Sequence, residues 1–290
     1  MLLSTQTGNL AGRFGDEEAV RRLADAGYDC LDYSMFHMSN DDSPMNGDDY
    51  RERAQRLREV AEESGVFFNQ AHCPFTFKWD DPVLREKVII PRHIRALEIA
   101  SILGVKNIIV HPLHHFEYKG HEKEAHDMNM DFYRMLLLYC EKFGINVALE
   151  NMWQRDRKRK CICDDTCSRA TEFAAWIDEL NDPHFVACLD LGHCGLVGEE
   201  AQDAIRTLGA GRLKALHVHD NDYINDQHTL PFLGKMDWKA ITAALREIGY
   251  TGELTFEADA FLRNYLNEDI GMATKFMVQT GRRLIEMIEG

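Results

Sequence analysis

The chain has 290 residues, 45% of them hydrophobic, and sets 33 Lys and Arg against 48 Asp and Glu for a formal net charge of −15. That much apolar side chain supports one large packed domain or two small ones and excludes a disordered chain. So acidic a surface repels phosphate backbones and anionic membranes at long range, so neither a nucleic acid nor a membrane is an expected partner.

The N-terminal MLLSTQTGNLAGRFGDEEAV lacks a basic region followed by a long apolar core, and no run reaches bilayer length, so a soluble cytoplasmic protein is expected. LLSTQT (2–7) reads as a strand and DEEAVRRLADAG (16–27) as a helix ended by glycine. YDCLDYS (28–34) reads as a strand, 50–65 as a helix, VFFNQAHCP (66–74) as a strand, and Pro82–Leu103 as a helix. VKNIIVHP (105–112) is the next strand, Met130–Phe143 a helix, and INVALEN (145–151) a strand. A charged segment follows, MWQRDRKRKCICDDTC (152–167), longer than a usual strand-to-helix connection and placed to form a lid. Residues 168–180 read as a helix, HFVACLDLGH (184–193) as a strand, and 201–208 as a short helix. LKALHVH (213–219) is a strand, Trp238–Ile248 a helix, GELTFEAD (252–259) a strand, and Asn267–Glu289 the closing helix.

Eight strands alternating with eight helices require a parallel sheet, because each crossover needs a helix to return the chain. In under 300 residues this fits a single-domain α/β protein of the (β/α)8 TIM-barrel class. An open doubly wound sheet is the alternative, but GNLAGRFG after the first strand does not match the GxGxxG phosphate loop. Cys30, Cys73, Cys140, Cys188 and Cys194 sit singly in apolar or strand-like contexts, as small buried thiols do. Cys161, Cys163 and Cys167 lack the CxxC spacing of a zinc site and read as reduced thiols on a loop.

In a barrel, functional groups gather at the C-terminal strand ends. Those ends are His72, His111, Glu150, Asp190, His217 and Glu257. Each alone has an ordinary structural explanation; six from six strands imply one pocket whose carboxylates need a cation to offset their repulsion.

ALEN (148–151), LDLGH (189–193), HVHDND (217–222), DQHTLP (226–231) and TFEAD (255–259) resemble the sugar-phosphate isomerase/epimerase superfamily. These are xylose-isomerase-like barrels related to a family of AP endonucleases, and the resemblance covers nearly the whole chain. It implies one divalent ion held by Glu150, Asp190, His217 and Glu257. It also implies His193, Asp226 and His228 as substrate-binding or further metal-binding groups, and His72 and His111 as ligands in the endonuclease branch. Of the two histidines in HVH, the family pattern selects His217 as ligand and leaves His219 at the pocket rim, as a substrate contact or a supporting group. Pro231-Phe232-Leu233-Gly234 departs from the family's Pro-Gly-x-Gly, so the substrate loop is expected to differ in shape.

Three carboxylates and one imidazole suit Mn2+, Mg2+ or Co2+, and zinc is compatible. A divalent ion on two adjacent substrate oxygens stabilises an enediolate, while Glu150 and Glu257 move a proton at carbon beside a carbonyl. Returning the proton to the opposite face gives epimerisation; returning it to the neighbouring carbon gives aldose–ketose isomerisation. The expected partner is a small sugar or sugar phosphate, and exposed barrel helices would allow a homo-oligomer. Alternatives are an AP-endonuclease-like phosphodiesterase, disfavoured by the charge, and a lyase, dehydratase or glycoside-cleaving relative using the same groups; a non-catalytic sugar-binding barrel is disfavoured by the intact acid pair. Trp153 is placed to stack on a sugar ring or equally to anchor a loop, and Phe36, Phe75 and Trp79 are placed to wall a pocket, though apolar packing is their default. His114, His115, His121 and His126 read as a mostly solvated loop. RDRKRK (155–160) reads as a solvated patch or as an anchor for a substrate phosphate or carboxylate.

Overall fold

The structure is a computed structural model that describes every residue except Phe77 and His115. In chain order the elements are β1 (Leu3–Thr5), α1 (Gly8–Phe14), α2 (Asp16–Ala26), β2 (Cys30–Ser34), α3 (Tyr50–Glu63) and β3 (Phe67–His72). Then come α4 (Pro82–Leu84), which runs through one π turn into α5 (Ile90–Leu103), β4 (Asn107–Ile109), α6 (Glu122–Phe143) and β5 (Asn146–Glu150). The chain continues with β6 (Trp153–Asp156), β7 (Cys161–Asp164), α7 (Ala170–Leu180), β8 (Phe185–Asp190), α8 (Leu191–Leu196) and α9 (Ala201–Arg212). It ends with β9 (Leu213–His217), α10 (Trp238–Glu247), β10 (Leu254–Phe256) and α11 (Ile270–Glu289).

Six parallel strands run in the order β2-β3-β4-β5-β8-β9, and β1 pairs with β10. Single parallel bridges, Gln6 to Asp32 and Val218 to Phe256, join the two sheets on both sides. The eight strands therefore surround one interior, as the strand–helix alternation predicts. β6 and β7 pair only with each other, as an antiparallel hairpin.

Strand alternation separates two environments. Ile109, Ala148, Val186, Cys188 and Ala215 form a buried apolar layer of their own on neighbouring strands. Two residues beyond Ala148, Cys188 and Ala215, on the same faces, stand Glu150, Asp190 and His217. The intervening Leu149, Leu189 and Leu216 face outward and join the large cluster under the helices. On the other side the interior is polar: Ser4 donates to Asn69, Thr255 to Gln70, and Gln70 Nε2 to Asp32 Oδ2 at 3.0 Å.

Three elements lie outside the periodic pattern. α1 starts at Gly8 and carries one fully buried apolar side chain, Leu10. α6 begins at Glu122, two turns before the apolar periodicity starts, and buried Asn129 ties it to the preceding loop through Leu113 N and Leu113 O. α8 follows β8 directly, with Asp190 Oδ1 accepting His193 N–H at 2.8 Å as its cap. Among the described residues no helix is long and apolar enough to cross a membrane.

Candidate active site

Glu150 and Glu257 meet at one imidazole nitrogen. His217 Nδ1 lies 3.0 Å from Glu150 Oε1 and 2.9 Å from Glu257 Oε2. Glu150 Oε2 lies 3.0 Å from His111 Nε2 and 3.6 Å from His72 Nε2. Glu257 Oε1 accepts from Gln6 Nε2 at 2.9 Å. Glu150, Asp190, His217 and Glu257 each present a ligand atom within 4.8 Å of the others, as do His72, Glu150 and His217.

A second group is fused to the first through Asp190. His219 Nε2 lies 2.9 Å and 3.1 Å from the two Asp190 oxygens. Asp226 Oδ2 lies 3.1 Å from His228 Nε2 and 3.7 Å from His193 Nε2. His193, His219, Asp226 and His228 satisfy the same 4.8 Å criterion. His219 is fully buried, stacked on His228 with ring centres 4.0 Å apart, rather than at the pocket rim.

Ring orientation follows from the backbone. His72 Nδ1–H donates to Cys73 O at 2.8 Å, His193 Nδ1–H to Asn151 O at 2.7 Å, and His228 Nδ1–H to Glu257 O at 2.9 Å. In the neutral ring each of these bonds puts the lone pair on the inward-turned Nε2, as metal-ligating imidazoles are commonly held. His217 is reversed: Nδ1 faces the glutamates, and Nε2 lies 3.5 Å from Asp32 Oδ2. Glu150 Oε2, Glu257 Oε2 and His219 Nδ1 are buried without a hydrogen bond of normal geometry.

Charge balance is met by protons in the absence of a cation. Burial pushes Glu150 and Glu257 upward, but His217 with His111, and His217 with His228, outweigh it and hold both carboxyls well below the ordinary range. Burial opposes charge on His217, yet Cys188, Glu257 and Glu150 raise it well above the usual value. Cys188 is itself pushed up to about 12 by burial and is neutral near pH 7, so the carboxylates act there. Burial is likewise overcome at His193, which Asp190 and Asp226 raise to about 10. At His111 burial wins over the pull of Glu150 and lowers it to about 4. Packed carboxylates with inward lone pairs fit a divalent cation, which would replace those protons.

The mouth is a cavity of about 560 Å3 lined by Gln6, Phe36, Phe75, Asp226, His228 and Glu257, with Arg263 and Asn264 at its edge. Phe36 and Phe75 stack with centres 4.8 Å apart beside His72. Trp79 turns away, onto Phe132. Trp153 stands at the root of the hairpin, its Nε1–H donating to Asp226 Oδ2 at 3.3 Å and its ring 6.3 Å from His193.

A family profile for xylose isomerase-like TIM barrels matches residues 20–275. The chain belongs to that family. A D-tagatose 3-epimerase-like protein of known structure superposes on this barrel with a TM-score of 0.75 at 18% identity, covering 100% of this chain and 98% of that one. D-psicose 3-epimerase of Agrobacterium fabrum is 22% identical over 249 residues, 82% of this chain and 77% of that protein. The chain spans about half the length of the first curated relatives it matches: an uncharacterised protein of Sinorhizobium fredii, y4fM, is 25% identical over 168 residues, 56% of this chain and 50% of that protein.

Within this xylose isomerase-like barrel, His72, His111, Glu150, Trp153, Asp190, His193, His217, His219, Asp226, His228 and Glu257 lie in the two fused groups or directly against them. His114 is exposed but bonds Asp165, His121 is exposed, His126 bonds Glu179, and His115 lies outside the described residues. Cys161 is exposed and Cys163 half-buried on β7 rather than on a loop, Cys167 is buried, and all three are free thiols. Three participants have no role assigned from the sequence, although Asn151 closes the ALEN motif. Asp32 is a lone acid on the interior face of β2, and its one signal was a charge inside an otherwise apolar strand. Gln6 and Asn151 carry no such signal; Asn151 bonds both N and O of Asp190 and fixes the second group from behind.

Proposed function

We propose that this chain is a divalent-metal-dependent isomerase or epimerase acting on a sugar or sugar phosphate. The observation that carries it is the convergence of Glu150 and Glu257, from β5 and the end of β10, on His217 Nδ1 at 3.0 and 2.9 Å beneath an open cavity. Glu150, Asp190, His217 and Glu257 would hold the ion, with Mn2+, Mg2+ or Co2+ suiting the donors. When bound, such an ion supplies positive charge where an oxyanion develops on the substrate.

The residues themselves perform the proton chemistry. One glutamate oxygen removes the proton from carbon beside a carbonyl, and the second returns it from the other side. Gln6 steers Glu257 by its 2.9 Å bond to Oε1, turning Oε2 toward His217. Phe36 and Phe75 exclude water from the reacting face and supply an apolar wall for sugar carbons. A related epimerase by sequence and an epimerase-like structural neighbour support the reaction class.

The test is incubation of metal-loaded protein with ketoses, aldoses and their phosphates in D2O. Deuterium at a carbon position is the expected result and locates the proton; no exchange with any sugar would sink this reading. A second reading, a metal-dependent phosphodiesterase, is favoured by one observation, three neighbouring ligand groups of which two share Glu150 and His217. Its signature is about three tightly bound ions together with retardation of abasic DNA, which the charge of −15 opposes.

A further inference from the structure

The proton chemistry makes no use of the β6–β7 hairpin, whose tip carries RDRKRK (155–160) on a chain of net charge −15. The base of this hairpin is fixed. Met152 N–H donates to Thr166 O at 3.1 Å across it, and Gln154 reaches Phe116 O at 3.3 Å and Tyr118 N at 3.1 Å. The buried Asp165 holds His114 Nδ1 at 3.1 Å.

Between the hairpin and segment 114–122 lies a cavity of about 1120 Å3. Lys119, Arg155, Arg157 and Lys158 line it, and none of the four forms an ion pair among the described residues. The acids beside them are largely committed. Asp156 accepts from the Lys158 and Arg159 backbone N–H groups at 2.8 Å and from Arg159 Nε. Asp164 receives both arms of Arg169, at 3.0 and 2.6 Å. Glu122 accepts from backbone N–H groups at the start of α6. Lys119, Arg155, Arg157 and Lys158 thus keep unused donors beside Glu117 and Glu122, which is an arrangement that an anion can enter.

Trp153 on one side and the His111–His114 pair on the other stand between this cavity and the active site. Trp153, bonded to Asp226, shares a face of β6 with Arg155, about 7 Å farther along the strand. On the opposite wall the His114 ring lies 6.5 Å from that of His111, itself 3.0 Å from Glu150. We propose that this cavity is the subsite for an anionic substituent, phosphate or carboxylate, of the sugar whose carbon reacts between Glu150 and Glu257. The inference rests on the isomerase/epimerase reading and narrows its substrate class to charged sugars. Two arginines suit it, since a guanidinium grips either group through two parallel N–H donors. A duplex would require a basic face far wider than one hairpin.

The test is calorimetric titration of metal-loaded wild type and the exposed triple variant Arg155→Ala/Arg157→Ala/Lys158→Ala. The probes are inorganic phosphate, glucose 6-phosphate, glucuronate and glucose, each at low and high salt. Wild type is expected to bind at least one charged sugar about ten-fold tighter than glucose, with the variant losing that preference. The tighter anion distinguishes phosphate from carboxylate. Equal affinity for charged and neutral sugars overturns the proposal. So does a preference that survives in the variant, which would place the anion on the metal, and so does retardation of abasic duplex DNA that the variant abolishes. Binding is read without turnover. Absent deuterium exchange therefore removes the isomerase reading alone, and absent anion preference removes this subsite alone.

Discussion

Asp32 Oδ2 lies 3.5 Å from His217 Nε2, inside the barrel, while the other nitrogen of that imidazole faces Glu150 and Glu257. Asp32 is fully buried; its Oδ2 also accepts from Gln70, and its Oδ1 has no hydrogen-bond partner among the described residues. A carboxylate at this nitrogen favours the Nε2–H tautomer and leaves the Nδ1 lone pair for an ion. Asp32→Asn is therefore expected to weaken divalent-metal affinity about ten- to hundred-fold, read by chelator competition, with circular dichroism confirming the fold. Wild-type affinity in that variant would show that Asp32 does not orient His217.

Glu150→Gln and Glu257→Gln separate metal holding from proton transfer. Each keeps the side-chain shape and removes the basic oxygen. Exchange of substrate hydrogen with D2O should fall about 10²–10⁴-fold in either variant. Near-normal turnover in Glu257→Gln with metal still bound would remove Glu257 from the chemistry.

Metal binding should tighten as pH rises. His217 and His193 hold protons near neutrality in the ion-free protein, because their carboxylate neighbours raise them, His193 to about 10. An ion takes only the neutral imidazole, so binding releases protons and apparent affinity climbs by up to about ten-fold per pH unit for each proton lost. Chelator-competition titrations at pH 6, 7 and 8 check this, and a flat profile would argue against imidazole ligation.

His93 ties acid sensitivity to the helix shell instead of the site. It is buried in α5, its Nδ1–H donates to Ile89 O at 2.9 Å, and burial lowers it to about 4. In the unfolded chain it titrates near 6.5, so its neutral form costs nothing above that pH. As pH falls from 6.5 toward 4 the unfolded chain takes up a proton that the folded one refuses, and about 3 kcal/mol of stability is lost. Denaturant midpoints should show a smaller drop between pH 7 and 4.5 in His93→Leu than in wild type.

Gly192 makes room for His219. A Cβ at that position would stand 2.1 Å from His219 Cε1, and the ring is pinned by Asp190 on one side and the His228 stack on the other. Gly192→Ala is expected to cost about 1–3 kcal/mol through overpacking and to displace His219 from Asp190. Thermal unfolding measures the first effect. The change in His219 imidazole signals by NMR measures the second, and an unshifted ring would show that the backbone yields instead.

The alternation of strands and helices along this chain determined a parallel sheet covered by helices, because parallel strands cannot be joined without a covering helix. Period-two alternation also determined which face of each strand carries Glu150, Asp190 and His217, since each stands two residues beyond an apolar interior position. Distances across the barrel are not written in any local pattern. That His217 meets Glu150, 67 residues away, and rests on Asp32 from a non-adjacent strand follows from closure of the sheet. Burial of His219 likewise depended on α8 starting directly at Asp190, where Gly192 leaves space for a ring. The hairpin was visible as sixteen irregular, charged residues, but its partners, Trp153 with Asp226 and Gln154 with the 116–118 segment, come from other loops. Local spacing set which groups reach the mouth of the barrel; only three-dimensional packing, through desolvation and the bonds left free, decided which nitrogen of each imidazole faces inward.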